Sequence, residues 1–134
     1  MAVPTPKPNE VKDYMVREVV SVKSWQPVAH ARELMLTHSF SFLPVETKGG
    51  WKVLSEMSVA SFLRERRTER LALSIHDADQ QHSGFLGKVK EVRPDSKIAD
   101  LFAVPFENGA RLWLVTEADS SDRLLGVLSP FELM

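Results

Sequence analysis

His76, Asp77, Asp79 and His82 are residue types that bind metal ions, and they stand close together in the chain. Their spacing matches no zinc or di-metal motif. The stretch from His76 to Gly87 is polar, carries two glycines and reads as a linker loop. Ser55 and Ser129 each stand at a helix start, where a hydroxyl either contacts a ligand or caps the helix, a cap being worth roughly 1 kcal/mol. Trp25, Trp51 and Trp113 could stack on a flat ring, but Trp113 sits in a strand and Trp51 begins one, which favours packing. His30 and His38 lie on a helix and read as surface or packing residues. The run Arg64-Glu65-Arg66-Arg67-Thr68-Glu69-Arg70 interleaves both signs of charge, as solvated helix faces do. It could meet a phosphate, but it lacks the interleaved aromatics of a nucleic-acid surface. Catalytic machinery is not visible. There is no phosphate loop, nucleophile elbow or cysteine, and Glu56, Asp77 and Glu132 have no partner at a motif spacing. The reading is that the chain is not an enzyme.

Composition is that of a globular, folded chain. The chain has 134 residues, 43% hydrophobic and 26% charged, so it can bury a core without staples. Its net charge of −1 gives no reason to expect nucleic acid or an anionic membrane as partner. No apolar run approaches the roughly 20 residues that span a bilayer. The first eight residues lack the apolar core of a signal peptide. The expectation is a soluble, cytoplasmic protein.

The elements that must position these residues follow from periodicity. Pro4, Pro6 and Pro8 predict a disordered start through residue 10. Val11 to Val16 predicts a short helical turn, and Val19 to Val22 a strand. Trp25-Gln26-Pro27 opens a helix, with Pro27 in the first helical position and Val28, Ala31, Leu34 and Met35 on one face. That helix ends near His38. Phe42 to Val45 is a buried strand. Its Pro44 cannot donate to a ladder and so marks an edge or a site boundary. Gly49-Gly50 turns the chain into Trp51 to Leu54, and Ser55 caps a helix running toward Arg70. The pattern then returns. Val89 to Val92 is a strand, Ile98 to Phe102 a helix, Glu107-Asn108-Gly109 a turn, Arg111 to Val115 a strand and Leu124 to Leu128 a strand. Ser129-Pro130 opens a last helix.

This return is a duplication. A shift of 70 places Val22 on Val92, Val28 on Ile98, Phe42 on Leu112 and Val45 on Val115. After the hairpin a shift of 74 places Val53 on Val127, Leu54 on Leu128 and Ser55 on Ser129. The difference of four residues falls in a polar loop, where insertions are tolerated. One unit is too small to cover its sheet, so two copies are expected to pack sheet to sheet and leave equivalent clefts.

The sequence resembles the CBS (cystathionine-β-synthase) domain family from Val11 to Met134. The resemblance lies in the lead-in Val11-Lys12-Asp13-Tyr14-Met15 and the helix from Pro27 to Met35. It lies also in the strand Phe42-Leu43-Pro44-Val45 and in the junctions Val53-Leu54-Ser55 and Gly126-Val127-Leu128-Ser129. It implies an α/β (α+β) fold of two tandem β-α-β-β-α repeats forming one pseudo-two-fold module. The implied domains are a lead-in over 1–10, a first repeat over 11–75, a linker over 76–87 and a second repeat over 88–134. The resemblance also implies a regulatory module that binds AMP, ADP, ATP or S-adenosylmethionine between the repeats, requires no cofactor, and signals to a partner protein. In the family a Ser or Thr opens the second helix, and an Asp three residues on holds the ribose hydroxyls. Here Ser58 takes that acidic position in the first copy and Glu132 in the second, and Leu114 replaces Pro44. The second cleft is therefore the better expected ribose site. The implied ligand-binding residues are Ser129, Glu132, Arg111, Leu112 and Val92, with Ser55, Ser58 and Pro44 in the other copy. Met134 aligns with Ala60, so the last helix is one turn long. Either the chain is cut short there or another chain covers that face, which points to a homodimer. The alternative reading is a dimerisation or protein-interaction module indifferent to nucleotides.

Overall fold

The helix α1 (Val28–His38) forms because Val28, Ala31 and Met35 recur at helical spacing, and all three are buried. It starts one residue later than the sequence suggests. Pro27 is extended and paired with Ser74, and the Val28 N–H finds the Leu73 carbonyl at 2.8 Å. Ser39 ends the helix in left-handed backbone, with φ 57°. The computed structural model describes residues 8–102, 112–117 and 123–134. These form two compact units. One is Val20–Val89, and the other joins the described residues up to Val19 to those from Lys90 onward.

In the first of these units the sheet runs β1 (Val22–Lys23), β2 (Phe42–Thr47), β3 (Gly50–Ser55) and β4 (Leu86–Gly87), in that spatial order. β1 and β2 are parallel, and the other pairs are antiparallel. The strand expected over Val19 to Val22 is thus short. Gly50 has φ +111°, a backbone that side-chain-bearing residues rarely adopt, so the tight turn needs glycine there. β1 pairs only with Val45 and Glu46, so Pro44 has a strand neighbour on the β3 side alone. That is where a residue without an N–H is tolerated.

The helix after Ser55 does not reach Arg70. It divides into α2 (Glu56–Phe62) and α3 (Arg67–Ala72), with Arg66 left-handed between them at φ 48°. Residues 64–69 are all exposed, so a continued helix would have buried nothing. Arg70 instead folds back. Its guanidinium donates to the Phe62 carbonyl at 2.7 Å and lies 4.6 Å over the Phe62 ring. The stretch expected as a linker is also structured. α4 (Ile75–Gln81) buries Ile75 and Ala78, and the Ser74 hydroxyl caps it by accepting the Asp77 N–H at 3.0 Å. Phe62, Phe85, Leu43, Leu54 and Ile75 are central to this unit's core.

The second unit carries β5 (Lys90–Val92), β6 (Trp113–Thr116) and β7 (Leu124–Leu128), with α5 (Ile98–Leu101) between the first two. A 3-10 turn, Pro130–Leu133, stands where the last helix was expected. Its core holds Val11, Met15, Leu101, Trp113, Val115 and Leu128. Pro8 to Glu10 were expected to be disordered but are bound. The Pro8 carbonyl accepts the Tyr14 hydroxyl, the Asn9 carbonyl accepts the Ile98 N–H, and Glu10 bridges Lys97. The turn at 107–109 lies outside the described residues.

The strand registers reproduce the duplication. Val22 faces Val45, and Val92 faces Val115, both shifted by 70. Leu43 faces Leu54, and Trp113 faces Leu128, shifted by 70 on one strand and 74 on the other. The lead-ins, however, are exchanged. The segment before the second repeat, Leu86–Gly87, pairs with β3 of the first. Val16, in the segment leading into β1, pairs with Val127 of the second repeat. Val53 and Val127, the residues they meet, are equivalent under the shift of 74.

Candidate functional site

The register Phe42↔Ser55 sets the start of β2 beside the end of β3, where α2 begins. β4 flanks the same place through its pairing with Val53 and Leu54. A cavity of about 280 Å³ opens there, lined by Phe42, Val53, Ser55, Ser58, Leu86 and Gly87, with Gly84. That is near the lower end of the ~300–1,000 Å³ of small-molecule pockets. Ser55 is extended and caps α2, accepting the Ser58 N–H at 3.1 Å. Its own hydroxyl donates to the Ser58 hydroxyl at 3.0 Å. The Ser58 proton then has no acceptor among the described residues and is available to a ligand. The cavity thus offers apolar walls, one hydroxyl donor and no carboxylate.

The second junction has the carboxylate, and one of its two oxygens is already engaged. Ser129 precedes the 3-10 turn in extended backbone. Its N–H donates to the Glu132 Oε2 at 2.9 Å, and its hydroxyl donates to the same oxygen. The pair closes as a capping box on Oε2 alone, so a ligand diol meets a carboxylate with one oxygen taken and Oε1 without a hydrogen-bond partner among the described residues. Val92 lies in β5 opposite Val115, and Leu112 precedes β6; both are half-buried. Arg111 lies outside the described residues. Pro44 is buried in β2, two residues from Phe42.

Sequence reasoning missed Gly84, Leu86 and Gly87, since it read 76–87 as a linker. The signal was present. Tyr14-Met15-Val16 matches Phe85-Leu86-Gly87 at a shift of 71, an apolar lead-in before each repeat. Two of the acidic and histidine residues of that stretch, Asp79 and His82, serve the fold. Asp79 accepts the Leu86 N–H at 3.1 Å, and the His82 ring packs edge-on to Phe62 at 5.7 Å. Among the described residues no three His, Asp or Glu side chains converge as a metal site. Trp113 is buried and meets Phe102, as packing requires, whereas Trp25 is 70% exposed.

Residues 11–68 match the family model of the CBS domain. No curated protein matches the chain. Solved structures that resemble it include CBSX2 in complex with AMP, at 20% identity and a TM-score of 0.69, covering 94% of this chain and 93% of that one. The CBS domain of the bacterial CNNM/CorC family Mg2+ transporter in complex with ATP is 12% identical, with a TM-score of 0.72, covering 93% and 84%. The CBS domain pair of protein MJ0100, in complex with 5'-methylthioadenosine and S-adenosyl-L-methionine, is 14% identical, with a TM-score of 0.69, covering 94% of each chain. At these identities the likeness is one of fold.

Proposed function

Because residues 11–68 match the CBS-domain family model, in a chain with the fold of a CBS-domain pair, we propose that this is a regulatory module that binds an adenosyl ligand and passes the event to a partner protein. The observation that carries the reading is the cavity at the Ser55–Ser58 junction. It lies at the position the resemblance assigns to the ligand, and its walls are apolar with one free hydroxyl. Structures of the same fold were solved with AMP, ATP and S-adenosylmethionine. CBS domains are generally regulatory rather than catalytic. The module acts in the cytoplasm as a homodimer. Among the described residues no helix is long and apolar enough to cross a membrane.

Calorimetric titration with AMP, ADP, ATP and S-adenosylmethionine tests this. One of them binds the native chain. Ser58→Leu fills the cavity and abolishes binding. Ser58→Asp supplies the missing acid and tightens binding about tenfold or more, since a hydrogen bond to a charged group is worth roughly 1.5–3 kcal/mol. If binding instead survives Ser58→Leu and is lost in Glu132→Gln, the ligand sits at the second junction. If none of the panel binds at millimolar concentration, the adenosyl reading fails.

A second reading, an interaction module indifferent to nucleotides, is favoured by one observation. The first junction lacks a carboxylate, and at the second Ser129 occupies one oxygen of it. It predicts an oligomeric state unchanged by the whole panel.

A further inference from the structure

A larger cavity, about 760 Å³, lies at the other end of the first sheet. It opens beside the β2–β3 turn, where β1 ends and α4 begins, whereas Ser55 and Ser58 stand at the opposite end of β3. Its wall carries Lys23, Lys48 and Lys52 together with Trp25. Trp25 is 70% exposed, more than any other Phe, Tyr or Trp among the described residues except Phe131. Among the described residues none of the three ammonium groups forms a hydrogen bond or salt bridge, and the Trp25 indole N–H has no acceptor. Two carboxylates share the wall, Glu46 and Asp79, and Asp79 already accepts the Leu86 N–H. The ammonium groups outnumber them.

The fold does not impose this chemistry. Under the repeat shifts Lys23 corresponds to Arg93, Trp25 to Asp95 and Lys52 to Gly126. In the second repeat Arg93 turns its guanidinium onto its own sheet, donating to the Thr116 hydroxyl and, at 2.9 Å, to the Glu117 carbonyl. Those two residues correspond to Glu46 and Thr47. The cation that seals this corner in one repeat is a free lysine beside a cavity in the other. A bare indole that buries no core surface and unpaired ammonium groups are an arrangement that stability alone does not call for.

We propose that this cavity, which shares only Leu86 with the lining of the Ser58 cavity, is a second ligand site that takes a small aromatic anion. The ring stacks on Trp25, and the carboxylate or phosphate meets Lys48 and Lys52. Stacking on indole is tolerant of ring identity, and the ammonium groups supply charge-assisted hydrogen bonds.

The test is titration of the intact chain with phenyl phosphate, read from the Trp25 indole N–H resonance, which Trp25→Phe assigns by its disappearance. Inorganic phosphate and benzyl alcohol supply the charge and the ring separately. The expected result is a saturable shift with phenyl phosphate and binding at least about tenfold weaker for either part alone. Lys48→Ala and Lys52→Met should each weaken phenyl phosphate about tenfold, and added salt should weaken it further. Lys48 is exposed and Lys52 half-buried, and Met keeps the length of the Lys52 side chain, so both variants should fold. Ser58→Leu should leave this binding unchanged, which separates the outcome from that at the first cavity. No shift at millimolar phenyl phosphate, or equal binding by Lys48→Ala, Lys52→Met and the native chain, overturns the proposal.

Discussion

Replacing Gly126 by alanine probes the exchanged lead-in directly. A Cβ at this position would lie 2.8 Å from the Val16 carbonyl oxygen, 3.0 Å from the Met15 sulfur and 3.2 Å from its Cγ. The sulfur can swing aside, but the carbonyl belongs to a backbone pair. Val16 N–H donates to Val127 at 2.8 Å, and Val127 N–H donates to Val16 at 3.0 Å. Overpacking costs about 1–3 kcal/mol, and each backbone bond weakened adds roughly 0.5–1.5 kcal/mol. Alanine restricts the unfolded chain and returns about 0.4–1 kcal/mol. The net loss is about 1–4 kcal/mol, a fall in Tm of about 5–15 °C for a chain of this size. Gly87→Ala is the control. It lies in the other lead-in, yet its Cβ would meet Val53 Cγ1 at an ordinary 3.5 Å, so its effect should stay within about 1 kcal/mol. Urea unfolding of both variants provides the measurement. A Gly126→Ala protein as stable as the native chain would refute the reasoning, as would a Gly87→Ala protein equally damaged.

Phe62 is fully buried, 4.9 Å from the Phe85 ring, and Phe62→Ala should lose about 3–5 kcal/mol in the same assay. Arg93→Met strips the partner from the buried Thr116 hydroxyl and should cost about 1–3 kcal/mol, measured by thermal unfolding. Ser74→Ala removes the α4 cap and about 1 kcal/mol, with faster hydrogen exchange concentrated in residues 75–81.

Much of this architecture was legible because the chain states it twice. A shift of 70 placed Val22 and Val45 and one of 74 placed Leu54 on their counterparts, and the ladders have those registers. α4 escaped because only Ile75 and Ala78 of its seven residues are buried, too few to set a period in a polar stretch. The break at Arg66 escaped because charged residues fit a helix as readily as a turn; only the Arg70 contact to Phe62 settles it. At the candidate sites residue identity was readable but engagement was not. Glu132 was visible as a carboxylate three residues after Ser129. That Ser129 already holds it depends on side-chain geometry, which spacing does not encode. Trp25, Lys48 and Lys52 are scattered along the sequence and meet only in the fold.

The exchange of lead-ins also sets an order of assembly. Leu86–Gly87 closes on β3 across about thirty residues of chain, so Val20–Val89 can be completed as soon as it has been synthesised. Val16 has to wait for Val127, 111 positions later. Loop closure of that span is entropically dearer, and contacts of long sequence separation form slowly. Until β7 is made, Val11 and Met15, buried in the finished unit, lack the strand that Val16 pairs with. β7, far along the chain from Val16, is the strand that docks this lead-in.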